Sequence, residues 1–141
     1  MQDRFKFRIW DKKLKKIAKW GDNPYHNMEI MNYICVENPV TDWRHEDYIL
    51  MQCTGLKDKN GILIFEGDIL KYTSKPTNTQ KNNPEYKPYN ENYSVVWEDF
   101  YTGYNLRSKE KVNCFNLGIM TNDCEVIGNI YENPELIGGV K

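Results

Sequence analysis

No stretch of the chain is long and apolar enough to cross a bilayer, because charged and polar residues interrupt every hydrophobic run and the mean hydropathy is −0.76. That excludes a membrane-spanning helix. The first residues, Met1-Gln2-Asp3-Arg4-Phe5-Lys6, lack the apolar core of a secretory signal, so the expected compartment is the cytoplasm. Cysteine is sparse: Cys35, Cys53, Cys114 and Cys124 form no Cys-x-x-Cys pair and have no histidine nearby. Neither a zinc site nor a disulfide framework is signalled, and the four read as thiols. Gly-x-Ser-x-Gly, phosphate-binding glycine loops and dinucleotide fingerprints are all missing, so no catalytic class and no cofactor is indicated. Asn92-Tyr93-Ser94 matches a glycosylation acceptor, but a cytoplasmic chain has no route to use it.

What is present fits one domain of 141 residues, within the usual size of a single hydrophobic core. The net charge of −1 and a pI near 6.1 argue against a protein coated in basic patches for nucleic acid. The charge is unevenly placed, however. Residues 1–20 hold eight Lys/Arg against two Asp, a net of +6, and residues 21–141 hold eleven against eighteen Asp/Glu, a net of −7.

From Arg4 to Trp10 the residues alternate, with Phe5, Phe7 and Ile9 on one side and Arg4, Lys6 and Arg8 on the other. This period of two predicts a half-buried strand whose basic residues line its outer face. Asp11-Lys12-Lys13 reads as a turn, and Leu14 to Trp20 as the returning arm of a hairpin, with a short helix as the competing reading. Gly21-Asp22-Asn23-Pro24 breaks the chain. Met28 to Val36 is apolar without clean periodicity and is read as a strand. Tyr48 to Cys53 is a β-prone run, and Asn60-Gly61 is a tight turn that needs a positive φ. Strands follow at Ile62–Phe65 and Ile69–Tyr72, with Gly67 marking a bend between them.

Residues 74–92 carry three prolines, five asparagines and no aliphatic side chain. Nothing there offsets the entropy of ordering, which predicts a mobile loop between two pairing strands. Tyr93–Trp97, the aromatic run Tyr101–Leu106, Val112–Met120 and Glu125–Tyr131 read as further strands. Asn133-Pro134-Glu135-Leu136 has an N-cap residue, a first-turn proline and a glutamate, the signature of one terminal helical turn. The fold class expected is mainly β: antiparallel strands in a small barrel or sandwich with little helix. Ten Tyr, five Phe and four Trp suit its pleated, half-buried surfaces.

Four ordered blocks resemble the YopX family: Phe5-Lys6-Phe7-Arg8-Ile9-Trp10-Asp11; Leu50 through Gly61; Phe65-Glu66-Gly67-Asp68-Ile69-Leu70; and Glu125 through Leu136. The resemblance spans nearly the whole chain. It implies a small phage- or prophage-encoded accessory protein acting inside a bacterial host, and it brings no known activity. It also implies a mainly β fold, and the Glu-Gly-Asp-Ile-Leu block looks like the turn-and-strand entry of SH3-like barrels. Cys53 departs from the family pattern, standing where an aromatic is common, and the 74–92 loop lies where lengths vary.

Several groups invite chemistry. Asp58-Lys59-Asn60-Gly61 resembles part of a calcium loop, but Leu56 and Gly67 stand where an EF-hand needs acidic ligands, so the turn reading prevails and no metal is expected. Glu66 and Asp68, two apart, would face one side of an extended chain and could share a proton, although carboxylates flanking a glycine turn are usually solvated. His45, in Arg44-His45-Glu46-Asp47, and His26 read as surface-loop residues. The best non-catalytic candidate is the basic N-terminal hairpin. Arg4, Lys6, Arg8, Lys12, Lys13, Lys15, Lys16 and Lys19, beside Trp10 and Trp20, form a set that could track a phosphate backbone and stack bases. Against this stands the reading of a charged edge that keeps a β protein from pairing edge to edge. The expected function is non-enzymatic binding of a protein partner, with nucleic acid as the alternative and self-association through strand edges open.

Overall fold

The computed structural model describes residues 6–18, 48–108 and 115–138. They form two antiparallel sheets. The first holds β1 (Phe7–Asp11), β2 (Lys16–Ala18), β3 (Tyr48–Lys57) and β4 (Leu63–Phe65), in the order β2-β1-β3-β4. The second holds β5 (Asp68–Thr73), β6 (Asn90–Glu98), β7 (Gly103–Arg107), β8 (Phe115–Asn116) and β9 (Cys124–Asn129), in the order β8-β7-β6-β5-β9. Helical structure among these residues is confined to α1 (Leu117–Met120) and 3₁₀ turns at Asp99–Tyr101, Thr121–Asp123 and Pro134–Ile137. The expected mainly β class is met.

The side chains pack into two clusters. Ile64, Leu70, Tyr93, Val95, Leu106, Leu117 and Cys124 form one; Trp10, Met51, Cys53 and Phe65 form the other, with Tyr131 against it. The short strand β4 serves both, because successive side chains of a strand point to opposite faces: Ile64 enters the first cluster and Phe65 the second. A fully buried Ile such as Ile64, at 0% exposure, contributes about 2 kcal/mol by leaving water.

Backbone bonds around the β4–β5 turn tie the sheets together. Glu66 donates its amide to Gln52 O in the first sheet, Gly67 donates to Val95 O in the second, and Ile130 donates to Gly67 O. Gly67 sits at φ +81, and a Cβ there would lie 3.2 Å from both Met51 and Tyr131. Both facts require glycine.

Several expectations are corrected. Of the run Val112–Met120, read as a strand, only Phe115–Asn116 is extended; the Asn116 side chain then accepts from the Gly118 amide and starts α1, while 109–114 lie outside the described residues. Asn133 does not cap the terminal turn with its side chain; its Oδ1 instead accepts from the Asn129 amide at 3.4 Å. The loop expected over 74–92 ends at Tyr89, since Asn90–Asn92 belong to β6. Nor is it without burial: Ser74 is buried, bonding the Tyr86 hydroxyl at 2.9 Å and the Tyr89 amide at 2.8 Å. The hairpin reading of 14–20 holds over β2, and the competing helix does not form there. The strand expected over Met28–Val36 lies outside the described residues.

Candidate functional site

The basic hairpin is built on a buried carboxylate. Asp11, 3% exposed, accepts the Lys13 and Leu14 amides on Oδ1 at 2.9 and 2.8 Å, and Lys15 closes the turn at φ 50. Lys12, Lys13, Lys15 and Lys16 are exposed around the tip, as is Leu14 at 61%. Lys6 is exposed at the start of β1. Arg8 and Trp10, expected on an outer face, are turned inward. Arg8 pairs with the fully buried Asp68 and its guanidinium lies 4.1 Å from the centre of the Phe65 ring; Trp10 is 7% exposed and stacks on Tyr131 at 5.7 Å. Both sides of β1 are covered toward its C-terminal end, where Ile9 is buried as well as Trp10, and Phe7 is the apolar residue left 42% exposed. Arg4, Lys19 and Trp20 lie outside the described residues.

The carboxylates of the family-like blocks are engaged in the backbone. Asp58, 6% exposed, accepts the Asn60 and Ile62 amides on Oδ1 at 2.8 and 2.9 Å, and the Val126 amide of β9 on Oδ2 at 2.9 Å. With Gly61 at φ +82, this is the tight turn expected. The same carboxylate, with the Lys59 amide on Cys124 O, occupies the outer edge of β9. Asp68 uses one oxygen for Arg8 and the other for the Phe65 amide at 2.8 Å; burial pushes its carboxyl up, Arg8 and that amide working the other way. Glu66 is only half-buried; burial pushes it up too, opposed by the Trp97 amide beside it. Each carboxylate thus has its own partners, and the pair is no shared-proton site. Asn129, 4% exposed, accepts the Tyr131 and Glu132 amides on Oδ1 at 3.0 and 2.9 Å and donates to Glu132 at 2.6 Å.

The thiols at hand are unreactive. Cys53 and Cys124 are buried and free, and burial, with Asp123 adding to it, pushes the Cys124 thiol up to about 11. Such a group stays protonated at neutral pH. Cys35, Cys114, His26 and His45 lie outside the described residues.

Two surface features escaped the sequence reading. On the β6–β7 hairpin, Trp97 is 47% exposed and Phe100 89%. Trp97 meets Tyr104 edge to face at 5.1 Å, and its indole donates to Asp99 at 2.8 Å. Glu98 pairs with Arg107, and the half-buried Glu66 helps push the Tyr104 hydroxyl up to about 12, after burial itself. The acidic pair Glu98-Asp99 between the aromatics Trp97 and Phe100 was the available signal; it reads as a strand end. The second is an open cleft of about 910 Å³ between β5, β6, β9 and the C-terminal turn, with Lys71, Asn92, Glu125, Ile127 and Leu136 in its lining. Its residues come from five separate segments, Ser108 after β7 being the fifth, which sequence order does not join.

The family model described as "YopX protein" matches residues 6–138. The chain belongs to the YopX family. Two solved structures are similar to it over nearly their whole lengths. Protein EF1440 from Enterococcus faecalis is 26% identical, with 94% of this chain and 96% of that one covered and a TM-score of 0.52. Protein yopX from Bacillus subtilis is 24% identical, with 98% and 99% covered and a TM-score of 0.53; it shares the fold. No curated protein matches the chain. The four blocks that resemble the family contain Asp58, Asp68, Gly67 and Asn129, which here cap turns and join the sheets.

Proposed function

We propose that this YopX protein is a non-enzymatic accessory protein of a phage or prophage, a small β domain of SH3-like character that binds a protein partner in the bacterial host cytoplasm. The observation that carries this reading is the ridge of Trp97, 47% exposed, and Phe100, 89% exposed, with Trp97 resting on the half-buried Tyr104. Large aromatics held out of the core on an ordered hairpin are characteristic of protein-binding surfaces. The Asp11, Asp58 and Asp68 carboxylates are spent on turns or buried against Arg8, and the Cys53 and Cys124 thiols are buried, which favours binding over catalysis. Among those residues no helix is long and apolar enough to cross a membrane, in keeping with a cytoplasmic role.

Affinity capture of the tagged chain from infected or lysogenic cells, with and without nuclease, tests it. A protein retained after nuclease and lost with Phe100→Ala and Trp97→Ala is the expected result. Retention unchanged by both substitutions would remove the ridge from the reading.

The alternative is nucleic-acid binding by the hairpin, favoured by the exposed Lys12, Lys13, Lys15 and Lys16. It expects affinity that falls steeply with salt. With Arg8 and Trp10 engaged in the core, the stacking platform that single-strand binders use is reduced there. Loss of all captured material with nuclease would put this alternative first.

A further inference from the structure

The chain carries two exposed surfaces that complement one another in both charge and polarity. One is the β1–β2 tip, where Leu14, 61% exposed, projects among Lys12, Lys13, Lys15 and Lys16. The Asp11 carboxylate fixes that tip by accepting two of its amides, so little entropy is lost when it docks. The other is the β6–β7 ridge, where Phe100 and Trp97 project beside Asp99 and Glu66. These two carboxylates are bonded by neutral donors of Trp97, its indole and its amide, which leaves their charge uncancelled; Glu98 is paired with Arg107. An apolar knob ringed by ammonium groups faces, in kind, an aromatic surface rimmed by carboxylates, which also attracts cations to its ring faces.

We infer that the occupant of the aromatic ridge is the β1–β2 hairpin tip of a second copy of this chain. The inference rests on reading the ridge as a protein-binding surface and names its occupant. Each copy offers one tip and one ridge, so two copies pairing reciprocally close into a two-fold dimer, and a one-way contact closes into a larger ring or extends as a file. A contact of one hairpin tip against one turn is small, so it is concentration-dependent, and its charges make it salt-sensitive.

Sedimentation of the purified, nuclease-treated chain over a wide concentration range, at low and physiological salt, is the test. The weight-average mass is expected to rise above 16.8 kDa with concentration, and less so at higher salt. Lys12→Glu/Lys16→Glu, which cancels the positive charge of the tip, and Asp99→Lys/Phe100→Lys, which strips the ridge of Phe100 and makes it basic like the tip, are each expected to stay monomeric. Mixed, they leave one native contact, the unaltered tip of the second variant on the unaltered ridge of the first. They give a 1:1 heterodimer that cannot grow, because the altered tip has no net charge and the altered ridge lacks Phe100. All four positions are exposed, and circular dichroism checks that the variants are folded. A wild-type chain that stays monomeric, an association indifferent to both double variants, or a mixture that forms no heterodimer would each overturn the inference. A monomer that still captures a cellular protein through Phe100 would leave the proposed function standing without it.

Discussion

At the scale of single residues, charge decides where this protein is vulnerable. Asp68 is fully buried and is tolerated as an ion only because Arg8 and the Phe65 amide meet its two oxygens. Removing one partner of such a pair leaves a buried charge without compensation, so Arg8→Ala is expected to cost about 3 kcal/mol at neutral pH. The sign of the pH dependence follows from the direction of the shift. The folded-state Asp68 carboxyl lies above its ordinary value of 3.8, so the native state holds its proton more tightly. The contribution of this group is most favourable below that ordinary value and is lost as pH rises through the raised one. Without Arg8 the carboxyl moves further up, and the penalty shrinks on acidification because a protonated Asp68 no longer carries charge. Urea unfolding of wild type and Arg8→Ala across the acidic range reads this directly; a penalty independent of pH would show that Asp68 is not the group responsible. None of this was legible in the sequence, where Arg8 reads as one of three alternating cations. Its partner lies 60 residues away, and alternation gives no hint of which face that partner covers.

At the scale of elements, the sequence spoke clearly where one local rule dominates. β1, the Asn60-Gly61 turn and the Gly67 bend follow from side-chain alternation and the need for positive φ, and each stands where expected. It misled where a short apolar run admits two periods. Phe115-Asn116-Leu117-Gly118-Ile119-Met120 satisfies a strand pattern, and only the Asn116 side-chain cap reveals that the run turns helical. Asp58 is the converse case, a residue whose position in a turn was legible but whose second duty was not. By accepting the Val126 amide it joins the β3–β4 turn to β9 and covers an edge of the second sheet that would otherwise invite pairing. Asp58→Ala is expected to leave three amides short of an acceptor and to destabilise the fold by about 3 kcal/mol. Hydrogen exchange checks the element-level claim, since the Val126 amide should lose protection together with those of Asn60 and Ile62. Retained protection at Val126 would mean that the carboxylate caps only its own turn.

At the scale of the whole molecule, the two sheets are bound through three residues of β4. Its pairing with β3 at Cys53↔Phe65 and Lys57↔Leu63 places it in the first sheet, while Ile64 lies in the cluster of the second. A strand with one side chain in each core makes the cores interdependent, because truncating either side chain perturbs the strand that holds the other. Ile64→Ala is therefore expected to cost about 3 kcal/mol, the transfer loss plus the cavity left behind. The two sheets should also lose stability together. Native-state hydrogen exchange separates this from the alternative: amides of β3 in the first sheet and of β6 in the second should fall in protection by the same free energy, as members of one cooperative unit. Loss confined to β6 would show instead that each sheet is stable by itself, with β4 a connector that only touches the second core.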